Sequence, residues 1–288
     1  MKGWNFDFVL LSLTAFVWIW TQWIETNWFR LRKESIRVKK RLPRPFTVLH
    51  LSDFHFTKPR FFLERFFDRL SRLDVDFVFL TGDLIDRSSG ISPLLRNLKK
   101  LRPKQGIYAV LGNHDYRNYP PFESLFHRFT GRDYSSHRSE TDQLKKALLE
   151  AGIHLLANQN VAVPLGGGEE AIVIGVDDPV TRRADLNQAF QGIENGVLHI
   201  ALTHSPIIFP ALGQKGIDIA FAGHTHGGQI RFPGIGPIPL ARLLEPIIDS
   251  TDRFGFAGVV SRGMGAQPIA RMRLFCRPEA VLVQIQGD

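Results

Sequence analysis

The stretch Ile217–Asp–Ile–Ala–Phe–Ala–Gly–His224–Thr–His226–Gly–Gly228 organises this chain. An apolar, strand-like run from Ile217 to Ala222 stops at a glycine, and two histidines follow at spacing i, i+2 before two more glycines. Residues two apart share a face of a regular strand, so both imidazoles can point one way. Imidazole nitrogens are good ligands for borderline metals. Gly223, Gly227 and Gly228 remove side chains, so the backbone can close around a site. Taken alone the motif reads equally well as a polar turn, and the other apolar runs decide between the two.

Several of those runs end in the same way. Phe46–Leu51 leads into Ser52–Asp53–Phe54–His55, and Phe77–Thr81 into Gly82–Asp83, with Asp86 three residues on. Ile107–Leu111 leads into Gly112–Asn113–His114–Asp115, and Val197–Leu202 into Thr203–His204. Ala171–Val176, Phe256–Val260 and Ala280–Ile285 are further predicted strands; helices are predicted over Arg60–Leu73, Pro93–Leu101 and Thr141–Glu150. Strand and helix patterns alternate early and strands dominate later, which predicts an α/β fold with a sheet-rich core. Open α/β sheets gather their active sites at the carboxyl ends of strands. Asp53, His55, Asp83, Asn113, His204, His224 and His226 all stand at such ends. Two cations roughly 3.5–4 Å apart need several terminal ligands and a bridging group, and a carboxylate bridges through its two oxygens. Each residue singly has a bland reading, as a surface Asp, a turn or a core His. Their shared position in the chain favours the metal reading.

The 288 residues suffice for one large domain or two small ones. The single cysteine, Cys276, excludes an intrachain disulfide and fits a reducing compartment. A net charge of +8 favours an anionic partner: a phosphate-bearing substrate, an acidic lipid surface or nucleic acid. Phe8–Ile24 is an uncharged run at the short limit for a membrane span. Trp18, Trp20, Trp23 and Trp28 sit toward one end, as interfacial aromatics do. Arg30, Arg32, Lys33, Arg37, Lys39, Lys40, Arg41 and Arg44 follow, offset only by Glu34. The positive-inside rule then puts the following domain on the cytoplasmic side, with the basic stretch beside anionic headgroups. A cleaved signal peptide fits poorly, because the first residues hold only Lys2 and no small-residue cleavage site follows. The expected organisation is a membrane anchor at 1–29, a basic linker at 30–45 and a catalytic domain at 46–288. In the helix around Phe61, Phe62, Phe66 and Phe67 the aromatics read either as core or as a second face on lipid. Arg117–Glu140 lacks periodicity and has the length of a lid or binding loop.

With DFH at Asp53–His55, GDLID at Gly82–Asp86, GNHD at Gly112–Asp115, TH at Thr203–His204 and GHTH at Gly223–His226, the chain resembles the calcineurin-like metallophosphoesterases over about Phe46 to Ile285. The resemblance implies a four-layer α/β/β/α sandwich around two divalent ions. Asp53, His55, Asp83 and His226 would hold the first; Asn113, His204 and His224 the second, with Asp83 bridging. Phe54 stands where the family usually has Leu and is expected to point into the core. His114 would stabilise or protonate the leaving oxygen, with Asp86 as its orienting carboxylate; Asp86 also reads as a plain turn residue. Mixed N/O ligation favours Mn²⁺, with Fe or Zn²⁺ as alternatives.

The substrate is less determined. The family's protein phosphatases carry Arg before their Gly–Asn–His, where this chain has Leu111, which argues against that branch. The tail Ser261–Gly265 with Arg277–Pro278–Glu279 resembles membrane-associated phosphodiesterases of the YaeI/YkuE type. It also resembles chlamydial-type UDP-2,3-diacylglucosamine pyrophosphatases of lipid A biosynthesis. A lipid-linked phosphodiester or pyrophosphate is therefore the expected substrate, with Arg117, Arg128, Arg132 and Arg138 as candidate phosphate-binding residues and the Phe-rich helix with Gly234–Ile248 as apolar groove. A nuclease and a non-catalytic membrane scaffold are the competing readings. No specific nucleic acid or protein partner is expected.

Overall fold

Two sheets lie face to face, and why they do so is visible in their strands. The computed structural model describes residues 3–119, 136–137, 140–194, 196–237, 249–266 and 271–288. The strands of the two large sheets are β1 (Arg30–Val38), β2 (Phe46–Leu51), β3 (Phe77–Thr81), β4 (Ile107–Val110), β5 (His154–Leu155), β6 (Gln159–Gly166), β7 (Glu169–Gly175), β8 (Leu198–Leu202), β9 (Ile219–Ala222), β10 (Ala257–Val260) and β11 (Glu279–Gly287). The first sheet has the order β1-β11-β2-β3-β4-β5 and the second β10-β9-β8-β7-β6. β2 to β5 run parallel, as do β7 to β10; β11 is antiparallel to β2, and β6 to β7.

Alternate residues of each central strand enter different cores. Phe77 and Phe79 of β3 and Ile219 and Phe221 of β9 meet between the sheets. With the N-terminal helix Gly3–Ile19 as α1, Val78 and Leu80 face outward, onto α2 (Phe61–Leu70), α3 (Ile91–Leu98) and the helix Thr141–Glu150. On the far side Ala220 and Ala222 pack with Phe209 and Leu212 of the short helix Phe209–Gly213. Three apolar cores thus separate four layers, α/β/β/α. A strand buried on both faces needs no polar alternation, which is why these strands read as uninterrupted apolar runs.

The first part of the stretch expected to be a linker, Arg30–Val38, is edge strand β1, in parallel register with β11 from Arg30↔Glu279 to Val38↔Gly287. Arg30 and Arg32 reach inward to one carboxylate. Arg32 Nε donates to Glu279 Oε1 at 3.0 Å, and Arg30 Nε to Glu279 Oε2 at 2.8 Å. The Glu279 side chain is fully buried and also accepts the Arg262 N–H. Breaking a buried pair leaves uncompensated charge. Glu279→Ala is therefore expected to lower stability by about 3 kcal/mol, discounted for the partly exposed arginines. Thermal unfolding checks this, with Glu279→Gln expected to fall between the two.

Ahead of β1, residues Asp7–Asn27 form a helical segment long and apolar enough to cross a membrane. Phe8, Leu10, Leu11, Leu13, Phe16 and Val17 are exposed. Its foot is not: Glu25 is buried and accepts the Trp20 indole N–H at 3.0 Å and the Cys276 N–H at 2.7 Å. In α2, Leu63, Phe66, Phe67 and Leu70 are core, whereas Phe61 and Phe62 stay exposed. Phe66 stacks on Phe29 at 5.3 Å, which puts α2 beside the foot of the apolar helix.

Candidate metal centre

The carboxyl ends of β2, β3, β4, β8 and β9 deliver the polar residues to one place. Five candidate ligands leave their strands in the left-handed region: Asp53, His55, Asp83, His224 and His226, with φ between 47° and 69°. Such a backbone costs a non-glycine residue on the order of 1–3 kcal/mol and persists where the surroundings over-determine it. Its clustering on these residues marks the site. Glycines supply the clearance: a Cβ on Gly112 would overlap Asp83, and one on Gly223 would overlap Ser52 and Asp53.

Asp53, His55 and His226 form one group and Asp83, His204 and His224 a second, each with donor atoms within 4.8 Å of one another. Asp83 spans both: Oδ2 lies 3.5 Å from His55 Nε2 and Oδ1 3.4 Å from His204 Nε2. Asn113 Oδ1 completes the second group, 3.1 Å from His204 Nε2. All seven side chains proposed as ligands therefore converge, and all are buried.

The hydrogen bonds orient the ring nitrogens. His204 donates Nδ1–H to the Thr81 carbonyl at 2.7 Å, leaving the Nε2 lone pair inward, 3.0 Å from His224 Nδ1. His55 donates Nδ1–H to Asp86 Oδ1 at 2.8 Å, leaving Nε2 3.1 Å from His226 Nε2. Ring nitrogens this close, beside two carboxylates, share either a proton or a cation. Fixing one ring nitrogen so the other can ligate is how metal-binding histidines are oriented. The donor set thus fits a pair of divalent ions. The carboxylates draw positive charge to the site. Burial opposes charge on His55, but Asp86, Asp83 and Asp53 outweigh it and hold the imidazole up at about 9. Burial, then the positive His55 and Arg273, holds His226 well below the ordinary range.

Asp86 does more than orient His114. Its Oδ1 accepts from His114 Nδ1 at 3.1 Å as well as from His55. Burial works against its charge, yet His55 and His114 outweigh burial and keep it well below the usual carboxylate range. Asp86→Asn is expected to cut hydrolysis roughly 10–100-fold and to weaken metal retention, as loss of a ligand-orienting carboxylate does. Metal content and kcat measured on one preparation check both effects.

Phe54 is fully buried against Phe56 and Phe67. Arg117 follows the helical turn Asn113–Tyr116 and pairs through its backbone with His137. Arg128, Arg132, Arg138 and most of the expected lid, like residues 238–248 of the expected groove, lie outside the described residues.

Other residues at the site were not anticipated. Asp115 accepts the Gly112, Leu84 and Ile85 N–H groups at 2.9–3.1 Å and ties the β3 and β4 loops together. Burial, then the Asp83 charge, pushes its carboxyl up to about 7. Tyr119 lies with its ring 4.7 Å from His114. Asp177 and Asp178 are buried beyond the end of β7, Asp177 accepting the Tyr116 hydroxyl at 2.7 Å. The strand-end rule that found the ligands also covers this pair. Arg273 is fully buried, with Nη2 3.4 Å from His226 Nδ1; it belongs to a loop, and no periodicity announces it.

The calcineurin-like phosphoesterase family matches residues 46–228. The uncharacterized metallophosphoesterase YkoQ of Bacillus subtilis is 31% identical over 263 residues, covering 88% of this chain and 87% of the relative. The UDP-2,3-diacylglucosamine pyrophosphatase LpxG of Chlamydia muridarum is 29% identical, covering 77% and 78%. The phosphodiesterase YaeI of Escherichia coli is 27% identical, covering 91% and 90%. The fold, the two ligand groups joined through Asp83 and the extent of these matches agree: the chain belongs to the calcineurin-like phosphoesterase family and is a metal-dependent hydrolase.

Proposed function

We propose that the chain hydrolyses a phosphodiester or pyrophosphate bond of a lipid-linked substrate at the surface of a membrane, with UDP-2,3-diacylglucosamine as first candidate. The observation that carries this reading is the pairing of two buried ligand groups, shared through Asp83, with an exposed apolar helix of membrane-spanning length. The LpxG relatives support the nucleotide lipid. The alignment with YaeI, which covers more of both chains, supports a wider phosphodiesterase activity as the second reading.

In this reading Asp53, His55 and His226 would hold one ion, Asn113, His204 and His224 the other, and Asp83 would contribute to both. When bound, a divalent pair supplies Lewis-acid charge and a nucleophile usable near neutral pH. The residues of the chain do the rest. Asp86 fixes His114 through Nδ1, so Nε2 can hold a proton for the departing oxygen. Asp115 locks the two loops that carry Asp83 and His114. The apolar helix spans the bilayer, and the catalytic layers lie on the cytoplasmic side. Imidazole-rich ligation favours Mn²⁺ over Mg²⁺ or Ca²⁺.

Purified enzyme is expected to release UMP and 2,3-diacylglucosamine 1-phosphate from UDP-2,3-diacylglucosamine, to lose activity in EDTA and to regain it with Mn²⁺. Cleavage of bis(p-nitrophenyl) phosphate without UMP release would select the wider phosphodiesterase. Full activity after exhaustive chelation would remove the metal reading altogether.

A further inference from the structure

A cleft of about 570 Å³ lies between the foot of the apolar helix and the catalytic layers. That volume is in the range of small-molecule sites. One wall is Phe16, Val17 and Trp20 of the helical segment; the other is Leu274 and Phe275. Arg262 and Arg277 open into the same space.

The charges in this cleft do not balance. Arg30, also on its lining, is neutralised by Glu279. Glu25 is buried, and its two oxygens accept the Trp20 and Cys276 N–H groups. Arg277 donates to the carbonyls of Trp28 and Phe29 at 2.8 and 3.2 Å and lies 4.0 Å over the Trp28 ring, with no carboxylate on it among the described residues. The Arg262 guanidinium has neither a hydrogen bond nor an ion pair among the described residues, although its stem packs against Gly227. A charged group beside an apolar wall is costly unless an anion meets it. The guanidinium fork suits phosphate, singly or in pairs.

From this we infer that the cleft is a binding site for one anionic glycerophospholipid of the surrounding bilayer. Its phosphate lies on Arg262 and Arg277, and an acyl chain runs along Phe16, Val17 and Phe275. The apolar wall continues upward along the exposed face of the helix, where Leu10 and Leu13 stand ready to meet the rest of the chain. The site is separate from the metal centre, though Cys276, between lining residues Phe275 and Arg277, donates Sγ–H to the His226 carbonyl at 3.3 Å. The inference rests on the membrane attachment proposed above, not on the identity of the hydrolysed substrate.

Native mass spectrometry of the full chain in detergent tests it without any substrate. Phosphatidylglycerol and phosphatidylcholine with identical acyl chains are offered at equal concentration. One phosphatidylglycerol is expected to be retained with roughly tenfold preference, because the choline cation of phosphatidylcholine offsets its phosphate charge beside the two arginines. Arg262→Gln with Arg277→Gln should abolish the preference, and Val17→Asp should weaken retention of both lipids. Should the double variant lose its fold by circular dichroism, Arg262→Gln alone, which removes no internal bond, should still reduce the preference several-fold. Lys39→Gln with Arg41→Gln, on a different surface, should leave it intact. Equal retention of the two lipids by the unaltered chain would overturn the inference. So would a preference that survives Arg262→Gln, or displacement of the lipid by inorganic phosphate alone. Failure of UMP release, by contrast, would leave these readouts unmoved.

Discussion

Asp83→Asn is expected to reduce hydrolysis by at least about 10³-fold and to lower metal content from two ions per chain to one or none. A divalent ion offsets several kcal/mol of developing charge, and each 1.36 kcal/mol is tenfold in rate. The position is uniquely exposed to this change because one carboxylate serves both ligand groups, Oδ1 toward His204 and Oδ2 toward His55. Burial disfavours its charge, but His204, His114 and His55 outweigh burial and keep it ionised well below the usual range. Asparagine keeps the shape and one oxygen able to accept the His114 N–H, now 2.9 Å from Asp83 Oδ1. The substituted amide turns an NH₂ toward one ring nitrogen and carries no charge for either ion. The fold should therefore survive while the centre fails. Elemental analysis for metal, with hydrolysis of bis(p-nitrophenyl) phosphate on the same sample, decides it; two ions with a rate within tenfold would remove Asp83 as the bridge.

His114→Ala should separate proton transfer from metal binding. A positioned acid or base contributes roughly 10²–10⁴-fold, so kcat should fall within that range while two ions per chain remain. The ring is held through Nδ1 by Asp86, packs edge-on to His55 at 4.7 Å and is less buried than the ring ligands. It can therefore reach a substrate without sharing in either ligand group. The loss should grow with the pKa of the leaving group: small for p-nitrophenolate, which leaves without a proton, and large for an alkoxide. An equal loss across leaving groups, accompanied by loss of metal, would make His114 a structural residue.

Much of this centre could be read from local sequence, for a physical reason. In a four-layer fold the central strands are buried on both faces, so each appears as an apolar run, and the chain turns polar only where it emerges at the sheet edge. Asp53, Asp83, Asn113, His204 and His224 stand at those points of emergence. Where a marginal strand carries charge, as β1 does, the rule gives no signal. β1 is charged because Glu279, 249 residues away, pairs with Arg30; to a local reading its arginines are a linker. Asp86 shows the same limit at finer scale. The family resemblance suggested it as a partner for His114, but its hold on His55 depends on β2 and β3 lying side by side.

The order of residues along the chain settled which donors this protein has and that they follow its buried strands. Folding alone decided which oxygen faces which ring, that one carboxylate orients two histidines, and that a cationic stretch closes a sheet. Those relations join residues distant in sequence across left-handed turns and layered sheets, and no periodicity within a single segment can encode them.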